Sequence, residues 1–253
     1  MNYFEYKSVA ERYARYRPYF HPLVIEKVKA YLSIDEPVDL AVDVGCGPGQ
    51  STVALKEIAR RVIGADLSAG MLGVAEKKPG IHYLQSPAEY LPILDLSTDL
   101  ITTSLAFHWF DHRRFFAESR RILKEQAWLI ISNNGITGQM RENVWFEKWF
   151  TEVYDGRYPS PPRNSTPMNP RRAREHGFHF AQEEEYQNEV PFTVEELAAY
   201  LVTQSNVIAG TEQGQEQVED VFQWIVEQAR PLFKSERSSF AFSGYIWYLQ
   251  KTT

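Results

Sequence analysis

Three glycines at alternate positions, Gly45, Gly47 and Gly49, interrupt the stretch LAVDVGCGPGQSTVALKEIAR from Leu40 to Arg60. Before them, Leu40, Val42 and Val44 read as a strand. After them, Val53, Leu55 and Ile58 are spaced for one face of a helix. A strand that turns through glycine into a helix is the opening unit of a nucleotide-binding α/β sheet. Glycine tolerates positive φ, and without a Cβ it lets a ligand come close to the backbone.

The spacing narrows the ligand. A dinucleotide fingerprint needs Gly-x-Gly-x-x-Gly, which places the third glycine at position 50. That position is Gln50, and the glycine stands one residue early at Gly49. Pro48 also removes an N–H from a turn where a pyrophosphate needs donors. Both features argue against a nicotinamide-dependent dehydrogenase and for a ligand with an adenosine and no phosphate. A tight turn with no ligand is the bland alternative, and the acid at Asp66, placed for a ribose, argues against it.

Asp43-x-Gly45-x-Gly47-x-Gly49 resembles the first motif of class I S-adenosylmethionine-dependent methyltransferases. Three later segments match in order. Asp66 ends the apolar run RVIGAD, 21 residues after Gly45; SPAEYLP spans Ser86 to Pro92; DLITTSLAFHWFD spans Asp99 to Asp111. The resemblance implies an α/β fold, a Rossmann-like, doubly wound, seven-stranded and mostly parallel sheet with its last strand antiparallel. It also implies S-adenosyl-L-methionine as cofactor, held by Asp43, Gly45, Gly47, Gly49, Asp66, Leu67, Met71, Ser86, Ala88, Glu89 and Leu105. Within that set, Asp66 is expected to accept the ribose hydroxyls. Leu67 and Met71 flank the adenine or fill the core. Ser86 stands where relatives often carry an acid, which shifts the adenine contact toward Ser86, the Ala88 backbone and Glu89.

The residues after the fourth strand, Leu105 to Trp109, are expected where the methyl group leaves. His108 is the candidate general base, because histidine titrates near neutrality. The plainer reading makes His108 and Trp109 a pocket wall. YARYRPYF (Tyr13 to Phe20) is similar to a segment of trans-aconitate-type small-molecule methyltransferases that lies over the cofactor's methionine end. Tyr13 and Arg17 are then expected at the substrate, with Arg17 facing a carboxylate through two prongs.

Along the chain, residues 1–37 read as a helical cap with an aromatic stripe at Tyr6, Val9, Tyr13 and Tyr16. The cofactor core spans 38–133, with strands expected at Arg61–Asp66, Ile81–Gln85, Leu100–Ser104 and Ala127–Ser132. Helices are expected at Ser68–Lys77 and Asp111–Leu123. Residues 134–183 break the alternation. Trp145, Phe146, Trp149, Phe150, Tyr154 and Tyr158 precede five prolines, which suits an inserted substrate lid. Arg141 and Trp145 are its candidate substrate contacts. Residues 184–253 complete the sheet, with a strand at Glu184–Val190, helices at Thr193–Asn206 and Gln215–Gln228, and a last strand at Ser239–Gln250. Thr193 and Glu196 form a capping-box pattern.

Composition bounds the function. The chain has 253 residues, enough for one methyltransferase domain with a sizeable core. A net charge of −6 counts against a nucleic-acid substrate. The single cysteine excludes an intrachain disulfide and a cysteine metal cluster. No metal is expected: His176 and His179 lack a third ligand at suitable spacing. No apolar run reaches the roughly 18 residues of a membrane span, and no signal peptide is read, so no membrane partner and a cytoplasmic location are expected. The expected activity is methyl transfer to a small-molecule acceptor by in-line displacement, with a carboxylic acid favoured. A catalytically silent cofactor-binding protein acting through a partner is the alternative. Oligomeric state is left open.

Overall fold

The computed structural model describes residues 7–164, 166–212, 214 and 216–252. Tyr6 and Gln215, which figure in the expected stripe and helix, lie outside the described residues. Seven strands form one sheet: β1 (Val38–Val44), β2 (Ala59–Asp66), β3 (Ile81–Gln85), β4 (Thr98–Ser104), β5 (Leu123–Met140), β6 (Phe178–Phe192) and β7 (Ser238–Lys251). Their order is β3-β2-β1-β4-β5-β7-β6. β1 pairs in parallel with β2 and β4, setting Val42 opposite both Ile63 and Ile101. β7 runs antiparallel to β5 and β6, as expected.

The chain divides into two compact units. One comprises Tyr19–Asn133, Arg163–Glu185 and the residues from Tyr245 onward. β1 is its centre, and Leu40 to Val44 are all buried there. That near-continuous burial is what a parallel strand covered on both faces requires. The strand order reverses between β1 and β4, so a crevice opens beyond their carboxyl ends. α5 (His112–Ile122) starts at Asp111, whose carboxylate caps the Arg114 N–H at 3.1 Å. It buries Phe115, Phe116 and Ile122.

Several elements are shorter or longer than the periodicity suggests. The helix after the glycine turn, α3, covers only Gln50–Ala54, followed by one 3₁₀ turn over Leu55–Glu57. The carbonyl of Ile58 already accepts from Val38, so the chain is committed to β2 by then. α4 (Ala69–Gly73) likewise stops well before Lys77, although Ser68 caps it as expected by accepting from the Met71 N–H at 3.1 Å. β5 runs past Ser132 to Met140, because residues beyond Asn134 find partners on β7: Arg141 N–H donates to Ser239. β6 begins at Phe178, ahead of the expected Glu184.

α2 (His21–Tyr31) also belongs to this unit and turns Val24, Ile25 and Val28 inward. Its first residue, His21, is buried with Nδ1 unpartnered, beside a cavity of about 20 Å³ lined also by Ser51, Thr102, Ser104 and Ser132. Burial pushes the His21 imidazole down from 6.5 to about 4. The unfolded chain therefore binds an extra proton between those values. The stabilisation from a neutral His21 is complete above pH 6.5 and is lost as pH falls toward 4. The full span is worth about 3 kcal/mol. Urea denaturation across this window should show the wild type losing stability relative to His21→Phe as the solution is acidified. A constant difference between the two would refute it.

The other unit holds the residues through Pro18, Asn134–Pro162 and Tyr186–Gly244. These boundaries differ from the expected ones: the N-terminal cap divides at Pro18, and 163–185 groups with the cofactor core rather than with the aromatic segment. α1 (Lys7–Tyr16), α6 (Trp145–Lys148), a π-helical turn (Trp149–Tyr154), α7 (Asp155–Arg157), α9 (Val194–Leu201), α10 (Ser205–Glu212) and α11 (Val218–Ala229) are its helices. Phe146, Tyr154, Leu197, Ile225 and Phe240 are closed to solvent in its core. Most aromatics expected to line a lid thus pack this unit's own interior. The Thr193–Glu196 capping box forms. The expected single helix to Asn206 splits after α9, where the Thr203 hydroxyl donates to the Tyr200 carbonyl at 2.6 Å and competes with helix continuation. α8 (Pro170–Glu175) lies in the first unit.

Candidate functional site

At the carboxyl end of β1 the chain takes positive φ at Gly45 (69°), Gly47 (54°) and Gly49 (85°). The three glycines face different surroundings. A Cβ on Gly45 would stand 2.5 Å from Ala106 Cβ and 3.0 Å from the Phe110 ring, and one on Gly49 would strike the Tyr83 hydroxyl. A Cβ on Gly47 would meet nothing within 4 Å. Gly45 and Gly49 are therefore glycine because protein crowds them. Gly47 presents bare backbone to open space.

Asp66 ends β2 beside this turn. Its Oδ2 accepts from the Gly47 N–H and its Oδ1 from the Ser68 N–H, each at 2.8 Å. Burial pushes the carboxyl up, opposed by these N–H donors. Each carboxylate oxygen keeps a lone pair for a further donor. Leu67, next along, is 54% exposed, while Met71 is buried at 3%. Of the two apolar residues expected at the adenine, only Leu67 presents its side chain outward; Met71 packs inside.

Asp43, expected at the cofactor, lies inside the protein. It is fully buried and accepts from Ser51 Oγ (2.6 Å), Thr52 Oγ1 (2.7 Å) and Thr102 Oγ1 (3.1 Å). Burial raises its carboxyl despite those hydroxyls. Its carboxylate ties β1, α3 and β4 together and acts on the turn from behind. The third segment is similarly self-engaged. The Ser86 hydroxyl donates to the Tyr90 carbonyl, Ala88 sits in the hydrophobic core, and Glu89 accepts the Asp111 N–H at 2.8 Å. Their side chains hold the loop against α5.

β4 leads into the segment expected at the methyl end. Leu105 takes φ 58°, a left-handed conformation rarely occupied by a leucine, which is the kind of strain that concentrates at functional sites. Phe107–Trp109 then forms a 3₁₀ turn with Phe107 buried, His108 half-buried and Trp109 38% exposed. The His108 and Trp109 rings lie 4.9 Å apart. Three neighbours here escaped the sequence reading: Arg163, whose guanidinium lies 5.6 Å above the Trp109 ring; Asn164, whose N–H donates to the His108 carbonyl at 3.2 Å; and His112. Arg163 and Asn164 stand more than 50 positions from the turn, and no spacing rule links residues that far apart; His112 is close in sequence, but nothing local marks that its ring stacks on Phe107.

The remaining expected substrate residues, Tyr13, Arg17, Arg141 and Trp145, belong to the other unit. Arg17 donates to the Thr203 carbonyl at 2.8 Å and lies over the Tyr13 ring at 4.6 Å and the Tyr200 ring at 5.4 Å. Its Nε is buried without an acceptor. Arg141 instead pairs with Glu189 at 3.4 Å near the surface, so its charge is already matched. Trp145 is 67% exposed. Among the described residues no group of three or more His, Cys, Asp and Glu side chains is placed to hold a metal. His176 stacks on Phe116 at 4.5 Å. No helix among the described residues is long and apolar enough to cross a membrane.

Residues 42–131 match the model of the methyltransferase domain. A Dictyostelium discoideum protein named as a methyltransferase is 35% identical over 162 residues, 63% of this chain and 61% of its own length. A malonyl-[acyl-carrier protein] O-methyltransferase of a Marinomonas species is 33% identical over 136 residues, 50% of each chain. The chain spans 44% to 61% of the length of the first three curated relatives it matches. The solved structure of a type II methyltransferase-like protein from Anaeromyxobacter dehalogenans superposes with a TM-score of 0.67 at 22% identity, covering 89% of this chain and 95% of its own.

Proposed function

We propose that this chain is a class I S-adenosylmethionine-dependent methyltransferase with S-adenosylmethionine as its cofactor, and that it methylates a carboxylate oxygen of a small acidic acceptor. The cofactor, when bound, supplies a sulfonium-activated methyl group for in-line displacement. The protein's task is to hold acceptor and methyl in line and to exclude water, and positioning alone accounts for roughly 7–11 kcal/mol of such a barrier. In this reading Gly47 offers open backbone for close approach, Asp66 accepts the ribose hydroxyls on its remaining lone pairs, and Leu67 flanks the base. Leu105, His108 and Trp109 wall the methyl end, and Asp43 braces the turn.

The observation that favours the acidic acceptor is the similarity to relatives named malonyl-[acyl-carrier protein] O-methyltransferases, since a malonyl group carries a free carboxylate. A carboxylate acceptor is already anionic, so no general base is needed and His108 serves as wall. The test incubates the protein with methyl-labelled cofactor and a panel of carboxylic acids, phenols and amines. Label should appear in base-labile esters formed from the carboxylic acids. Label confined to phenols or amines would overturn the acidic acceptor and return His108 to the role of base.

A further inference from the structure

His112 opens α5, and its ring is buried and stacked on Phe107 at 3.9 Å and 10°. Its Nε2 lies 3.1 Å from the Phe107 carbonyl, which can only accept, so Nε2 carries the hydrogen. Its Nδ1 faces two groups of the segment Arg163–Arg172: Asn164 Nδ2 at 3.2 Å and an Arg172 guanidinium nitrogen at 3.3 Å. The Asn164 amide is oriented by its own Oδ1, which accepts from the Thr166 N–H at 3.3 Å and hydroxyl at 2.9 Å. Its Nδ2 therefore points at the histidine as a donor. Arginine can only donate. Both contacts require a bare lone pair on Nδ1.

The same segment reaches the Phe107–Trp109 turn twice more. Asn164 N–H donates to the His108 carbonyl, and Arg163 lies over Trp109. We infer that His112 is a positioning residue of the methyl end: with Nδ1 unprotonated it latches the Arg163–Arg172 segment onto the Phe107–Trp109 turn and sets Arg163 over Trp109. The inference rests on the methyltransferase reading only in naming that end. A proton on Nδ1 would face two donors, one of them a guanidinium, and open the latch. Burial opposes that proton most, and the Arg172 guanidinium of α8 and His176 just after it oppose it too, while the Phe107 carbonyl and Asp111 at the helix start favour it. The net direction is a lowered imidazole, so the latch is closed at neutral pH.

The test is hydrogen exchange, corrected for intrinsic rates, in peptides covering 105–111 and 163–172 at about pH 7.5 and about pH 5. In the wild type, acidification should speed exchange in both peptides about tenfold or more relative to β1. His112→Gln can donate to Phe107 and accept from Asn164 and Arg172 without titrating, and should stay protected at both pH values. His112→Phe keeps the ring stack but no lone pair, and should exchange fast at both. Asn164→Ala, on the exposed side, should also loosen both peptides at pH 7.5 while leaving the core intact. Equal exchange in wild type, His112→Phe and Asn164→Ala at pH 7.5, or wild-type protection that persists at every acidic pH at which β1 itself stays protected, would overturn the latch. Calorimetry with S-adenosylmethionine separates the two readings: absent binding would sink the methyltransferase reading and leave the exchange result standing.

Discussion

Asp66→Ala is expected to weaken S-adenosylmethionine binding about a hundredfold or more in titration calorimetry. Two hydrogen bonds from ribose hydroxyls to a carboxylate are each worth roughly 1.5–3 kcal/mol, and every 1.4 kcal/mol is tenfold. The same substitution leaves the Gly47 and Ser68 N–H groups without their acceptor, so a second, smaller effect on stability of about 1–3 kcal/mol accompanies it. Asp66→Asn separates the two. It keeps an oxygen for one N–H but loses the charge, so it should recover part of the stability and little of the affinity. Unchanged affinity in Asp66→Ala would remove the acid from the cofactor site and with it the main physical basis for the proposed function.

Gly45→Ala and Gly47→Ala are expected to fail in opposite ways. At Gly45 a Cβ must displace Ala106 Cβ and the Phe110 ring while the backbone holds φ 69°. Left-handed strain of about 1–2 kcal/mol adds to overpacking of about 1–3 kcal/mol, so denaturation should show a loss near 2–5 kcal/mol. At Gly47 the strain of about 1–2 kcal/mol remains, but no protein atom is met. Stability should fall by that small amount only. Cofactor affinity should fall by at least about tenfold, because the methyl group stands where the backbone was bare. A Gly47→Ala protein that binds cofactor normally would show that the open side of the turn faces no ligand.

The short, regular parts of the fold were legible because their signals are local. β3 at Ile81–Gln85, the Ser68 cap and the Thr193–Glu196 capping box depend on residues a few positions apart. The errors came where distant partners decide. β5 continues to Met140 because β7 offers Ser239 and Ala241 as partners more than 95 positions away. The lid aromatics look identical to core aromatics in sequence, since apolar periodicity reports that a face is buried but not against what.

The candidate site divides along the same line. Where the chain must bend backward without side chains, and where an acid must stand at a strand's end, composition and spacing alone located Gly45, Gly47, Gly49 and Asp66, because each requirement is set by backbone geometry within one βαβ unit. Which of those glycines faces space and which faces protein, that Asp43 is sealed behind the turn, and that His112, Asn164 and Arg163 meet the Phe107–Trp109 turn were decided only by tertiary packing. Most of those contacts, the local His112–Phe107 stack aside, bring together residues separated by dozens of positions, and a linear chain carries no record of which of its many such pairings will close.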